Sequence, residues 1–124
     1  MSTDRNSPLE KDIQKVICEW LQLNNLFFWR SNNIPVFGMN NGGKRTFRSL
    51  PKYTPRGLPD LICIVMGKFI AIEVKRPGAR LRPEQAEFGA RCIENGGIYW
   101  CVTDLSEVRS GILSLAAELE KVKK

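Results

Sequence analysis

The sequence predicts an α/β fold in which a mixed central sheet is flanked by helices. Two apolar runs rich in Ile and Val flank Gly67-Lys68, and this pattern predicts an antiparallel hairpin with a tight turn. A helical pattern opened by Pro83 and a further apolar run, 98–103, follow the hairpin. A strand, a helix and a strand in this order form a right-handed crossover with parallel strands, so antiparallel and parallel pairs share one sheet.

A first helix is predicted to start at Ser7, because Ser7-Pro8 offers an N-cap followed by a proline in the first turn. Glu10 is the third residue after Ser7 and would complete a capping box. The helix should end near Asn24-Asn25. Its apolar residues recur at helical spacing and predict one buried face: Leu9, Ile13, Val16, Ile17, Trp20 and Leu23.

A short strand is predicted over 26–30, followed by a long loop over 31–58, in which only 44–49 suggests extra strand. No acidic residue occurs between Glu19 and Asp60. The basic residues of the same interval are Arg30, Lys44, Arg45, Arg48, Lys52 and Arg56. Their number equals the whole net charge of +6, which favours contact with a polyanion. The alternative is a solvated loop that the charges keep soluble.

Three charged residues are predicted on one face of the hairpin. With Gly67 and Lys68 as the turn residues, Ile62 lies opposite Glu73 and Asp60 lies opposite Lys75. Buried charges cost several kcal/mol, about 3–5 when one partner is missing, unless they are paired or bind a metal. Lys75 could simply neutralise one acid in a structural ion pair. Two acids and one lysine leave a negative charge, however, which a divalent cation would balance.

The rest of the chain predicts two further helices and a strand. Residues 76–82 form a basic turn, Pro83 opens a helix that ends near Asn95, and 98–103 is the last strand. Residues 104–124 are predicted to be helical, with an apolar stripe that packs on the domain or contributes to a dimer. Gln85 falls in the first turn of the middle helix, where a solvent-facing residue would be ordinary.

Composition limits the classes of function. A chain of 124 residues predicts a single domain, 1–124, with a loose start over 1–6. The four cysteines are far apart and predict buried thiols in a reducing compartment, without a zinc site. No signal peptide or membrane-length apolar run is visible, so a cytoplasmic protein without membrane contact is expected. The absence of histidine excludes Ser-His and Cys-His catalysis, so any hydrolysis relies on carboxylates, lysine and metal.

The charged hairpin resembles the PD-(D/E)xK nuclease superfamily. Its motif corresponds to Pro59-Asp60 followed by Glu73-Val74-Lys75. The wider context, including Gly57-Leu58 before the motif and Pro83-Glu84-Gln85 after it, is similar to the VRR-NUC branch over about 9–103. This resemblance implies a restriction-endonuclease-like core of order αβββαβ. It also implies an endonuclease that hydrolyses DNA phosphodiester bonds.

The resemblance also implies roles for individual residues. Asp60, Glu73, Lys75 and Gln85 would be catalytic, with Gln85 orienting the attacking water or the phosphate. The expected ligands of Mg²⁺ or Mn²⁺ are Glu10, Asp60, Glu73 and the Val74 carbonyl. Glu10 is followed one turn later by Gln14, as in the family, so the metal site competes with the capping box as its explanation.

DNA is the partner that the resemblance implies. The predicted DNA-contacting residues are Arg30, Asn32, Lys44, Arg45, Arg48, Lys52, Arg56, Arg76, Arg80 and Arg82. Short stand-alone VRR-NUC proteins resemble Holliday junction resolvases, so a homodimer that cuts branched, four-way DNA is expected. The alternatives are a flap- or end-directed nuclease, a restriction-type endonuclease and a non-catalytic DNA-binding module.

Overall fold

A computed structural model describes residues 8–31, 37–39, 45–47 and 52–123 of the chain. Three helices and six strands lie within these ranges: α1 (Glu10–Leu23), β1 (Phe27–Arg30), β2 (Phe37–Met39), β3 (Arg45–Phe47), β4 (Leu61–Val65), β5 (Lys68–Val74), α2 (Pro83–Glu94), β6 (Ile98–Val102) and α3 (Leu105–Lys123). The helices and the strands of the main sheet follow the predicted order αβββαβ, and α3 follows.

The main sheet is mixed, as predicted. Its strand order is β1-β4-β5-β6, with β4 antiparallel to both of its neighbours and β5 parallel to β6. The parallel pair is joined through α2, because parallel strands require a crossover connection. Strands β2 and β3 form a separate antiparallel pair inside the segment 31–58 that was predicted to be loop. The suggested strand over 44–49 contains β3.

The hydrophobic core lies on one face of the main sheet. Alternate residues of β4 and β5 face α1 and α3, because side chains of a strand alternate between its two faces. The buried cluster comprises Ile13, Ile17, Leu21, Leu61, Cys63, Val65, Ile70, Ile72, Val74, Val102, Val108 and Ile112. Helix α2 covers part of the opposite face, where its Phe88 ring lies 6.3 Å from the ring of Tyr99. We call this opposite face the carboxylate face, because it carries Glu73.

Helix α1 begins later than predicted. Leu9 is extended, with φ −75° and ψ 152°, and is the N-cap in place of Ser7, so Glu10 is the first helical residue and the predicted capping box is wrong. Among the described residues, no side chain caps the helix. Ser7 lies outside the described residues. The buried stripe is also narrower than predicted, because the fully buried residues of α1 recur only at a spacing of four, while Trp20 is partly buried against the core. Leu21 belongs to this stripe, whereas Val16 and Leu23 on its flanks are 48% and 81% exposed.

The hairpin turn lies one residue earlier than predicted. Val65 pairs with Lys68, so Met66 and Gly67 are the turn residues, and Ile62 faces Ala71 instead of Glu73. Both turn residues have positive φ, 50° and 83°, which is the conformation that matches the twist of paired strands in a two-residue hairpin. Moving the turn by one residue moves every pair by two, an even shift that leaves each side chain on its predicted face.

The cysteines are all free thiols. Cys63 is buried in the core, and its burial raises the pKa of the thiol to about 11. Cys101 is exposed, which contradicts the prediction for that residue, because β6 is an edge strand whose carboxylate face α2 covers incompletely. Among the described helices, none combines the length and the apolar character needed to cross a membrane.

Candidate active site

The charged residues of the hairpin meet at one end of the main sheet. Leu61 pairs with Ile72, so Asp60, the residue before β4, lies next to Glu73 near the end of β5. The Val74 N–H donates a 2.7 Å hydrogen bond to Asp60 Oδ2. The Ser31 N–H donates to the Asp60 carbonyl over 2.8 Å, which holds the same residue from the β1 side. Asp60 is therefore fixed against β5 beside Glu73 and not opposite Lys75 as predicted.

Glu73 is the buried centre of this group, with 2% of its surface exposed. Its Oε2 atom accepts a 3.0 Å hydrogen bond from Gln85 Nε2 and lies 3.8 Å from Lys75 Nζ. Its Oε1 atom is buried and has no hydrogen-bond partner in the part of the chain that the structure describes. One oxygen of the carboxylate is thus held by the protein, and the other is available to a ligand.

The electrostatics of Glu73 show that Lys75 does not fully compensate its burial. Burial, followed by the negative charge of Asp60, raises the pKa of Glu73 from 4.5 to about 8, although Lys75 acts in the opposite direction. A separation of 3.8 Å is long for a charged hydrogen bond, which usually spans about 2.7–2.9 Å. A structural ion pair with Lys75 therefore leaves excess negative charge when both acids are ionised.

The residues present fit a divalent cation. Glu73 offers a buried carboxylate oxygen that no described residue hydrogen-bonds, next to the carboxylate of Asp60, and Mg²⁺ and Mn²⁺ prefer such oxygen ligands. A bound cation would also favour the ionised form of Glu73. Within the described ranges, no three His, Cys, Asp or Glu side chains come together as a metal-binding group. The close pair is Asp60 and Glu73.

Glu10 lies in the first turn of α1 and is half-buried. Since the helix begins at this residue, the capping box no longer competes as an explanation for it. Its negative charge contributes to the raised pKa of Glu73, after the larger effects of burial and Asp60. Glu10 is therefore near the carboxylate pair but outside a three-carboxylate cluster.

Gln85 is buried, 2% exposed, so the interpretation as a solvent-facing residue is wrong. Its Oε1 accepts a 2.8 Å hydrogen bond from the Arg82 N–H while its Nε2 donates to Glu73. The side chain thus links the first turn of α2 to the carboxylate pair. Gly57, with φ +73°, passes so close to this turn that a Cβ there would overlap the carbonyl of Glu84.

Comparison with known proteins agrees with this geometry. A family model, the VRR-NUC domain, matches residues 9–103, which include the whole carboxylate pair and its neighbours. The chain belongs to the VRR-NUC family. The matched range confirms the resemblance over 9–103, and α3 follows it. VRR-NUC domains are nuclease-type domains, which supports a DNA nuclease.

Two solved VRR-NUC structures resemble the chain. One, described as a VRR_NUC domain, is 20% identical, with a TM-score of 0.56 over 83% of this chain and 92% of the other. The second, a VRR_NUC domain protein, is 19% identical, with a TM-score of 0.57 over 87% and 88% of the two chains. These matches confirm the restriction-endonuclease-like fold. No curated protein matches the sequence.

The predicted DNA-contacting residues of this VRR-NUC domain lie in several places. Arg76, Arg80 and Arg82 occupy the turn between Lys75 and α2. Arg30 ends β1 on the other face, paired with core residue Leu61. Arg45 lies in β3, whereas Asn32, Lys44 and Arg48 lie outside the described residues.

Lys52 and Arg56 are exposed, and Lys52 Nζ lies 5.4 Å from the centre of the Tyr53 ring. A cavity of about 900 Å³ lies beside α2, and Arg56 contributes to its wall. Neither Asp60 nor Glu73 lines that cavity. The carboxylate pair of the VRR-NUC domain is thus separate from it.

Sequence reasoning missed Tyr99, which shares the carboxylate face with Glu73. Burial, followed by the charge of Glu73, raises the pKa of Tyr99. Its hydroxyl is buried without a hydrogen-bond partner among the described groups. The parallel register, in which Tyr99 pairs with Ala71 and Cys101 with Glu73, brings β6 to the site. No local pattern in the sequence determines the register of two strands joined through a helix.

Proposed function

We propose that this VRR-NUC domain is a metal-dependent DNA endonuclease that hydrolyses phosphodiester bonds. The observation that carries the proposal is the buried Glu73 carboxylate beside Asp60. Gln85 holds one of its oxygens, and the other has no hydrogen-bond partner among the described residues. Such a pair is unfavourable without a cation and suited to one. Family membership supports the same chemistry.

The proposed ligands of Mg²⁺ or Mn²⁺ are Asp60, Glu73 and the Val74 carbonyl, with Glu10 as a further carboxylate. When bound, the ion supplies positive charge that polarises the scissile phosphate and lowers the pKa of a coordinated water. The hydrogen bond from the Val74 N–H orients the Asp60 carboxylate before any ion arrives. The ligands are therefore preorganised by the ends of β4 and β5.

Lys75 and Gln85 support this pair in different ways. The Lys75 ammonium lies 3.8 Å from Glu73 Oε2 and would offset negative charge that develops on the phosphate. Gln85 uses its oxygen for the Arg82 N–H and its nitrogen for Glu73. We therefore assign Gln85 as a positioning residue that directs the free oxygen of Glu73 toward the ion, in place of the expected contact with water.

For the substrate we propose branched DNA, with four-way junctions first. The support is the resemblance of short stand-alone VRR-NUC proteins to junction resolvases, together with the net charge of +6. One domain with one site would need a second copy to cut a junction symmetrically, so a homodimer belongs to the proposal. The second candidate is a flap- or end-directed nuclease, and the third is a non-catalytic DNA-binding module.

The test compares cleavage of labelled four-way, flap and linear DNA with Mg²⁺, with Mn²⁺ and with EDTA. Asp60→Ala should abolish cleavage and leave DNA binding largely intact, because Asp60 is a proposed ligand and not a DNA anchor. Glu118→Gln, at an exposed position of α3, is the matched control and should cleave as the wild type does. Cleavage in EDTA, or by purified Asp60→Ala protein, would refute the metal mechanism.

The oligomeric state is tested by sedimentation at the concentrations used for cleavage. The junction proposal expects a dimer and paired cuts in opposing strands. A monomer that cuts flaps and leaves junctions intact would favour the second candidate.

A further inference from the structure

Two large aromatic side chains of β1 remain exposed to solvent. Phe27 is 66% exposed and Trp29 is 43% exposed. Their ring centroids lie 5.6 Å apart with an angle of 51° between the planes. Between them, Phe28 points to the other face and packs against the core. We call Phe27 and Trp29 the aromatic pair. An isolated exposed apolar residue is ordinary, but two adjacent aromatic rings beside a candidate active site are not.

The strand register places the aromatic pair on the carboxylate face. Trp29 is the partner of Ile62 and Phe27 is the partner of Ile64, and paired residues of neighbouring strands point to the same face. Asp60 lies two residues before Ile62, so Trp29 and Asp60 are diagonal neighbours, typically about 7–8 Å apart at the backbone. Trp29 is thus one step across the sheet from the proposed metal site.

The chemistry of the pair suits a nucleobase. Exposed aromatic faces bind unpaired bases by stacking, and every base offers such a face whatever the sequence. Bases inside a duplex are already stacked on one another and present only their edges in the grooves. A phosphodiester held at Asp60 and Glu73 would bring the nucleotides next to it into reach of Trp29.

We propose that the aromatic pair binds an unpaired nucleobase adjacent to the phosphodiester that is cleaved. The proposal rests on the proposed function and narrows its substrate class to DNA with a single-stranded segment at the cleavage position, such as a flap, a gap or an opened junction centre. A second copy of the chain is a poorer occupant. Fully burying two aromatic side chains removes about 300–500 Å², whereas a stable interface buries about 800 Å² on each partner.

The test measures binding separately from cleavage. Affinities are determined by fluorescence anisotropy in EDTA, with a single-stranded oligonucleotide, a flap and a fully paired duplex. Trp29→Ala should weaken binding to the single strand and the flap by roughly 5- to 150-fold, the range expected for the loss of one stacked base. Binding to the duplex should change by less than about 2-fold, because its bases expose no free faces to the ring.

Matched variants separate stacking from general damage. Trp29→Phe retains a ring and should recover most of the affinity, while Phe27→Ala should give a smaller loss than Trp29→Ala, since Phe27 lies farther from Asp60. Leu113→Ala removes a 61% exposed apolar side chain from α3, distant from this face, and should have no effect. Quenching of tryptophan fluorescence by the single strand should be reduced in Trp29→Phe, which is a direct sign of the stack.

Three outcomes would overturn the proposal. They are equal losses on duplex and single strand, unchanged affinity in Trp29→Ala, or conversion of a dimer to a monomer by that substitution, which would assign the pair to an interface. If circular dichroism shows that Trp29→Ala is unfolded, the fluorescence quenching of Trp29→Phe and the affinity of Phe27→Ala test the proposal instead. The binding test does not depend on the metal mechanism. A protein that binds unpaired bases but does not cleave DNA would refute the proposed hydrolysis and leave the aromatic pair as a base-binding site.

Discussion

Ionisation of Glu73 should make the metal-free protein less stable as the pH rises. The folded protein holds the pKa of this carboxyl at about 8, above the ordinary 4.5, because the group is buried beside Asp60. Between these values the folded state binds more protons than the unfolded state, so the free energy of unfolding falls with increasing pH. The stabilising contribution is complete below pH 4.5 and is lost as the pH passes about 8.

The size of the effect follows from the same two values. At about 1.4 kcal/mol per pH unit, the interval from 4.5 to about 8 corresponds to an upper limit of roughly 5 kcal/mol. Water drawn toward the ionised group reduces the cost, so we expect about 2–5 kcal/mol. Glu73→Gln keeps the shape and an oxygen for Gln85 Nε2 but cannot ionise. It should therefore remove this pH dependence and be more stable than wild type above pH 8.

Urea unfolding between pH 5 and pH 9 in EDTA measures this difference, with Glu118→Gln as the exposed control. Mg²⁺ at high pH should restore stability to the wild type and not to Glu73→Gln, because a ligand that binds only the folded state stabilises it. Parallel pH profiles for wild type and Glu73→Gln would refute the reasoning. A metal response that survives the substitution would place the ion elsewhere.

Four other substitutions test the site and the core. Gly57→Ala forces a side chain into positive φ against the first turn of α2 and should destabilise by about 2 kcal/mol or more, whereas Gly67→Ala, with open space around its Cβ, should cost about 1 kcal/mol in urea unfolding. Ile17→Ala empties a fully buried position and should cost about 2–5 kcal/mol, again measured in urea. Gln85→Met removes the hydrogen bond to Glu73 and should lower kcat by roughly 10- to 100-fold at saturating DNA with little change in KM, as measured in steady-state cleavage assays. An unchanged kcat in Gln85→Met would leave Gln85 with a structural role only.

The placement of Asp60 and Glu73 on one face could be predicted because it depends on an alternation of period two. The turn was predicted one residue too late. Ile62 therefore pairs with Ala71 instead of Glu73, and Asp60 lies beside Glu73 instead of opposite Lys75. The predicted face of each residue is nevertheless correct, because the resulting shift of register is even. An odd shift would have placed the two carboxylates on opposite faces of the hairpin. The predicted placement of both carboxylates on one face is therefore correct although the turn was misplaced.

The start of α1 and the role of Gln85 were less predictable for a related reason. Ser7, Pro8 and Glu10 form a plausible cap in isolation, yet Leu9 is extended and the helix starts at Glu10. The local pattern of α2 is compatible with Gln85 as an ordinary first-turn residue, and only the family resemblance predicted a role for it at the site. The approach of α2 to the end of β5 buries it against Glu73. The burial of Gln85 depends on a contact between elements that are distant in the sequence.

The family, the order of the core elements and the charged residues of the hairpin could be predicted from the sequence alone. Periodicity and motif spacing are local properties, because they depend only on residues that are close together in the sequence. Only the tertiary structure shows which atoms lie together. Within the described ranges, one oxygen of Glu73 has no hydrogen-bond partner, Tyr99 lies on the same face, and Trp29 is exposed as a diagonal neighbour of Asp60. These outcomes depend on strand register and helix docking, which are set by packing across the whole domain.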